Sequence, residues 1–513
     1  MNLQKIDNMK KAILSVSFSI CVITLFANIK LNSLFTDNVV FQRNMEVPVW
    51  GWADEGEKVT VEFAGQTVSA VSQNGKWMVK LKRLKENSNA QEMKVSGKNT
   101  VVIRNILVGE VWICSGQSNM EWALSRSTGG EEASAASTND QLRIFNVPHN
   151  VQLKPVDNVN AKWVLSEPKT TKMISAVGYW FMSKLQKELN VPVGFINIAF
   201  GGTVIESWMS QEVLNSMPAK DKYMDLATMK AEYDKKELEL KPIRDAWQKA
   251  VDSCKINKLP EPARPAVLPS EFKGATTIYN GEICPIVPYA VKGIAWYQGE
   301  SNAYVNRAET YYDLLPAMIK LWRGDWQRND LPFIIFQITP NRKPQTDPNE
   351  KSGIAIVQEA QLKTSLTVPN TALVTTMDVA ESDVHYKNKQ PISERAMKAA
   401  LNLAYGKDNE YCGPIYKSLK IDGEKAILEF NHLGGGLTQK GDTLKGFVMA
   451  GADKKFYFAD AKIIKNNVIV TCKHVLQPVA VRYGWADFPA VNLFNKEGIP
   501  ASPFRTDDWN VSK

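Results

Sequence analysis

Four stretches of this chain carry residues whose types and spacing could run nucleophilic acyl chemistry. In Gly116-Gln117-Ser118-Asn119-Met120 a serine follows the apolar run Leu107 to Cys114. A hydroxyl placed where a buried strand gives way to a helix has a backbone fixed by the sheet, and its own N–H can face a developing oxyanion. A serine nucleophile needs a base, and the chain has only 4 histidines. His149, His432 and His474 fall in a loop and in the C-terminal region, whereas His385, in Met377-Asp378-Val379-Ala380-Glu381-Ser382-Asp383-Val384-His385, follows the last apolar run. Assigning Ser118 as nucleophile and His385 as general base is therefore economical. Two further blocks suit oxyanion stabilisation. Ala199-Phe200-Gly201-Gly202-Thr203 has glycines, Gly201 and Gly202, that let a backbone N–H approach a substrate closely, and Trp296-Tyr297-Gln298-Gly299-Glu300-Ser301-Asn302 offers the Gln298 carboxamide as a donor. Glu300 reads as structural or substrate-facing. The serine is not framed as Gly-x-Ser-x-Gly, so a nucleophile elbow is not indicated.

These side chains need a rigid frame, and the apolar runs predict one. Leu107 to Cys114, Gly194 to Ala199, Lys292 to Tyr297, Phe333 to Ile338 and Thr371 to Met377 have strand length and little alternation, as in a parallel sheet covered on both faces. Helical stretches lie between them. Val177, Phe181, Leu185 and Leu189 recur every four residues after a cap at Ser175, and Tyr311 to Trp322 carries a similar stripe interrupted by Pro316. A doubly wound α/β domain binds ligands outside the carboxyl ends of its strands, where Ser118 stands. Before this domain, Val59, Val61 and Phe63 alternate with Lys58, Thr60 and Glu62, and Asn74-Gly75 marks a hairpin. After Gly406 the chain returns to short β runs. The expected organisation is a leader over 1–27, a β-sandwich-like module over 28–105, the α/β domain over 106–408 with a charged helical insertion over 210–275, and a β module over 409–513.

Composition narrows the function classes. With 62 basic and 54 acidic residues interspersed, the formal net charge of +8 gives little support to nucleic-acid binding. Lys10-Lys11 followed by the apolar run Ala12 to Ala27 has the form of an export signal, shorter than a comfortable membrane span, and no later stretch reaches spanning length. The expectation is a periplasmic or extracellular protein with no membrane span after signal removal. Cys21 lies in that leader, and the widely spaced Cys114, Cys254, Cys284, Cys412 and Cys472 resemble neither a zinc site nor a disulfide framework. No metal and no organic cofactor are expected.

The block around Ser118 resembles the first block of the SGNH hydrolases, in the form carried by sialate O-acetylesterases and their acetylxylan-esterase cousins. Tyr386-Lys387-Asn388-Lys389-Gln390 and Ser393-Glu394-Arg395 resemble the stretch after the catalytic histidine of sialate O-acetylesterases. Val47-Pro48-Val49-Trp50-Gly51, Arg482-Tyr483-Gly484-Trp485-Ala486-Asp487 and Ala501-Ser502-Pro503-Phe504-Arg505 extend the likeness into both β modules, where Arg482, Trp485 and Arg505 are expected to dock module on core. The resemblance implies a flavodoxin-like α/β/α core and serine-ester hydrolysis of O-acetyl groups on sialic acids, with a small-molecule or glycan substrate. It also implies that Gln298 replaces the asparagine SGNH enzymes commonly use. Those enzymes place aspartate three residues before the histidine, where this chain has Ser382. Asp383 takes the role if the loop turns tightly; Asp378, Glu381 or a main-chain carbonyl are the alternatives. An acetylxylan or other hemicellulose deacetylase, and a noncatalytic glycan-binding protein, remain the competing readings.

Overall fold

The computed structural model describes residues 28–217, 226–265 and 272–511. The proposed leader, 1–27, lies outside them.

Seven strands form the core sheet in the order Trp163–Ser166, Asn139–Asn146, Val193–Ala199, Thr100–Gly116, Gly293–Tyr297, Phe333–Phe336, Thr371–Val374. All neighbours run parallel except the Trp163–Ser166 edge, which is antiparallel to Asn139–Asn146. The architecture is thus an α/β domain with β modules at either end, as expected, although the sequence reading missed the two strands on the Trp163 side. Central strands alternate between two cores. Ile113, Ile294 and Ile335 pack with the helices Tyr311–Asp325 and Gly353–Thr367, while Trp112, Ala295 and Phe336 pack with Ala176–Leu189 and Gln390–Tyr405. Burial on both faces is why these runs lack a polar alternation. Ser175 caps its helix as expected, its Oγ accepting the Gly178 N–H at 2.9 Å.

The register aligns the strand ends that matter. Ala199 pairs opposite Gly116, and Tyr297 pairs opposite Gly116 from the other side. The segments after these three strands therefore emerge together. Gly116 has φ +141°, and a Cβ there would lie 2.1 Å from the Tyr297 carbonyl oxygen, so the turn into Ser118 accepts only glycine.

Two expectations change. The 105/106 boundary falls inside one continuous strand, Thr100–Gly116, whose first part pairs with Asn87–Ser96 and Val40–Gln42 and whose second part is the centre of the core sheet. The two regions share a sheet through this strand. Asn74 and Gly75 do make a tight turn, with φ +53° and +74°. The flanking strands nevertheless part, Gln66–Val71 pairing with Lys58–Phe63 and Lys76–Leu81 with Val47–Trp52, because the inward residues of each are claimed by different sheets. Within the insertion, Leu226–Glu239 and Lys241–Ile256 are helices broken at Leu240. At the other end, Arg505 donates to Glu359 at 3.1 Å and its guanidinium lies 5.3 Å from the Trp485 ring, tying the C-terminal module to the helix Gly353–Thr367. Arg482 instead pairs in two-pronged fashion with Asp507 of its own module.

Among the described residues no helix is long and apolar enough to cross a membrane. Cys114, Cys254, Cys284, Cys412 and Cys472 are all unpaired.

Candidate active site

Ser118 opens a short helix, Ser118–Glu121, directly after the central strand. As the first helical residue its N–H has no intrahelical acceptor. Its Oγ is 2.8 Å from His385 Nε2. The two residues are 267 positions apart in sequence, and only the fold brings them together. Trp122 covers the imidazole, with ring centroids 5.1 Å apart and 18° between planes. Burial pushes the His385 imidazole below its ordinary pKa, and the Lys389 ammonium adds to the push, against the pull of Asp383. Near neutral pH the ring is uncharged and able to accept the serine proton.

The carboxylates behave differently from the expected triad. Asp383 Oδ1 accepts the backbone N–H of His385 at 2.9 Å and stands 3.9 Å from Nδ1, beyond hydrogen-bond reach of the ring, and its side chain is 67% exposed. It turns the loop and contributes charge at a distance. Asp378 is held by Arg395 through two hydrogen bonds of 2.8 and 2.7 Å, and Glu381 accepts the Lys387 N–H at 3.3 Å.

The oxyanion expectations divide. Gln298 is fully buried, and its amide group donates to the Thr203 carbonyl at 3.0 Å and to Asn302 Oδ1 at 2.9 Å, while its Oε1 accepts from the Tyr311 hydroxyl at 2.9 Å. Both N–H bonds are used, so in this arrangement Gln298 has no donor left for substrate. It belongs to a buried scaffold continued by Asn302, Glu206 and Arg307. Gly201 gives its N–H to Glu121 Oε2 at 2.6 Å. A Cβ on Gly201 would come within 3.1 Å of Ser118 Cβ, so the glycine is what lets this loop lie against the nucleophile. Gly202, exposed and at φ +71°, has an N–H that makes no hydrogen bond among the described residues. The backbone donors that remain are those of Ser118 and Gly202.

Several residues around the pair carried no expectation. Glu121 follows Ser118 by three positions on one helical turn, a spacing that places both on one face. Its Oε1 meets His149 Nε2 at 2.9 Å, and the His149 ring stacks on Phe200 with centroids 3.6 Å apart. The hydrogen bond to Glu121 raises the His149 pKa against burial. Burial works to raise Glu121 as well, but bonds from His149 and the Gly201 N–H hold it below its usual value. Behind the serine, Asn119 donates to Glu300 Oε1 at 2.6 Å and accepts from Lys389 Nζ at 2.6 Å. Burial raises the Glu300 carboxyl and lowers the Lys389 ammonium to about 7. Glu300 is thus tied to the residue after the nucleophile through Oε1, while its buried Oε2 has no hydrogen-bond partner among the described residues. Nothing in the sequence joins His149 to Glu121 or Lys389 to Asn119, because each contact crosses between strand ends. Among the described residues no group of three or more His, Cys, Asp or Glu side chains could hold a metal ion.

Comparison with known proteins gives the family. A family model described as carbohydrate esterase, sialic acid-specific acetylesterase, matches residues 108–241 and 276–400. The crystal structure of a carbohydrate acetylesterase from Xanthomonas citri is 32% identical with a TM-score of 0.80, covering 94% of this chain and 100% of that one. The sialate O-acetylesterase of Rattus norvegicus is 26% identical over 503 residues, 89% of this chain and 90% of its own length. That of Homo sapiens is 25% identical over 506 residues, 89% and 88%. Ser118, Gly201, Gly202, Gln298 and His385 all fall inside the matched segments, and this chain belongs to the carbohydrate esterase family of sialic acid-specific acetylesterases.

Proposed function

We propose that this chain removes O-acetyl groups from sialic acids through an acyl-enzyme on Ser118, and that it acts after export from the cytoplasm. The observation that carries the chemistry is the 2.8 Å contact between Ser118 Oγ and an imidazole held neutral by burial. Ser118 Oγ attacks the acetyl carbonyl carbon as its proton passes to His385 Nε2. Charge then develops on the carbonyl oxygen, and the free N–H groups of Ser118 and Gly202 are the donors that suit it. Collapse of the tetrahedral intermediate breaks the bond to the sugar oxygen, which takes the proton from His385. A water, deprotonated by the same imidazole, attacks the acetyl-serine; the acyl–Oγ bond breaks, Ser118 Oγ takes the proton back from His385, and acetate leaves. The relatives named as sialate O-acetylesterases along nearly their whole lengths support the substrate class, and the Lys10-Lys11 and Ala12 to Ala27 pattern supports export.

Acetate release from O-acetylated sialic acids and from acetylated xylo-oligosaccharides, at matched enzyme concentration, tests the reading. Ser118→Ala should abolish turnover on both without unfolding the protein. A higher specificity constant on acetylated xylose would assign the chain to hemicellulose deacetylation with the same chemistry, and glycan binding with no acetate release would make it a binding protein.

A further inference from the structure

The glycine loop beside Ser118 is held by charge at two atoms. Glu121 Oε2 accepts the Gly201 N–H at 2.6 Å, and Lys273 Nζ donates to the Gly201 carbonyl at 2.6 Å. That carbonyl belongs to the same peptide unit as the Gly202 N–H. A trans peptide is planar, with C=O and N–H pointing in opposite directions, so a group that fixes the oxygen also fixes the direction of the N–H. A cation on the oxygen further draws electron density from the amide and makes its N–H a stronger donor, as in a hydrogen-bond chain whose members polarise one another. We propose that Lys273 is a positioning residue for the reaction, orienting and polarising the Gly202 N–H toward the oxyanion.

Lys273 is built into that place. Its own carbonyl accepts from the buried Ser207 hydroxyl at 2.8 Å, anchoring it to the turn Ile205–Trp208 that follows the glycine loop. Its ammonium lies 4.3 Å from the centroid of the Phe200 ring, which His149 covers at 3.6 Å. The Gly202 Cα points a would-be Cβ to within 3.7 Å of Lys273 Nζ, so the lysine packs on the peptide it bonds. It also falls in the interval between the two segments matched by the family model, 108–241 and 276–400.

This inference rests on the Ser118 acyl-enzyme reading, and the experiment separates the two. Lys273→Met and Lys273→Arg are compared with the native chain on p-nitrophenyl acetate, a neutral ester, and on O-acetylated sialic acid. Removing an oxyanion donor outright costs about 10² to 10³-fold in turnover, and a donor that is present but unfixed should cost less, roughly 10-fold. Lys273→Met is expected to lower kcat by that amount on both substrates with KM nearly unchanged, to weaken inhibition by a boronic acid in parallel, and to move the amide resonance of Gly202 in glycine-labelled protein. Lys273→Arg should restore most of the rate. Lys273→Gln serves as the second variant if the methionine protein does not fold. Unchanged kcat on p-nitrophenyl acetate, or a loss confined to KM or to the anionic substrate, overturns the proposal and makes Lys273 a substrate contact. Full activity in Ser118→Ala would instead overturn the reading beneath it.

Discussion

The His385 imidazole lies nearly parallel to the Trp122 indole, with centroids 5.1 Å apart and 18° between the rings. Among the described residues no carboxylate lies within hydrogen-bond distance of Nδ1, and this flat contact and the bond to Ser118 hold the ring in plane. Aromatic pairs are worth about 1 kcal/mol beyond their buried area, or roughly fivefold in rate if that energy is spent on alignment. Trp122→Ala should therefore lower kcat about fivefold, and Trp122→Phe should recover most of it. Steady-state kinetics with the melting temperature held as control decide the point; equal rates in the alanine variant would remove the indole from the mechanism.

Two histidines should titrate on opposite sides of the ordinary value. Burial lowers His385, and the bond to Glu121 raises His149. A general base works only when neutral, so kcat/KM should fall with decreasing pH along a limb set by His385, below about pH 6.5. Proton NMR titration, assigned with His149→Gln and His385→Gln, should show the two midpoints apart, and Glu121→Gln should bring His149 down. A His385 midpoint above that of His149 would contradict the electrostatics described.

Asp383→Asn is expected to be mild. A buried triad aspartate costs about 10⁴-fold when neutralised, but Asp383 is largely exposed and 3.9 Å from the ring. We expect less than about a 10-fold loss, with the acid limb of the pH profile moving lower because a charge that favours the imidazolium has gone. A loss of thousands-fold would mean that the loop tightens on substrate binding and completes a triad.

Gln298→Ala should act on stability first. The substitution strands the Thr203 carbonyl in the interior and removes one of two bonds at Asn302 Oδ1, which keeps the Ile205 N–H, and at the Tyr311 hydroxyl, which keeps the main-chain carbonyl of residue 298. A buried polar group left without a partner costs about 1 to 3 kcal/mol, so a stability loss of at least about 1 kcal/mol is expected by urea denaturation. Native stability together with a hundredfold drop in kcat would restore Gln298 to the oxyanion role.

The alternation of Val59, Val61 and Phe63, the apolar runs ending at Gly116, Ala199 and Tyr297, and the cap at Ser175 were legible in the sequence because each depends on neighbours a few residues away. From those strand ends alone, Ser118 and His385 could be named as partners. Asn139–Asn146 and Trp163–Ser166 were missed since a polar-flanked strand at the sheet margin has no continuous apolar run to mark it. What the tertiary structure decided is which atoms still have a free donor or acceptor. Gln298 looks like a donor in its motif and is consumed by Thr203 and Asn302; Gly201 and Gly202 are indistinguishable in sequence until Glu121 takes one N–H and Lys273 the carbonyl beside the other. Residue type limits what a group can do, but hydrogen bonds are short and directional, so its actual use depends on partners that the fold brings from far along the chain.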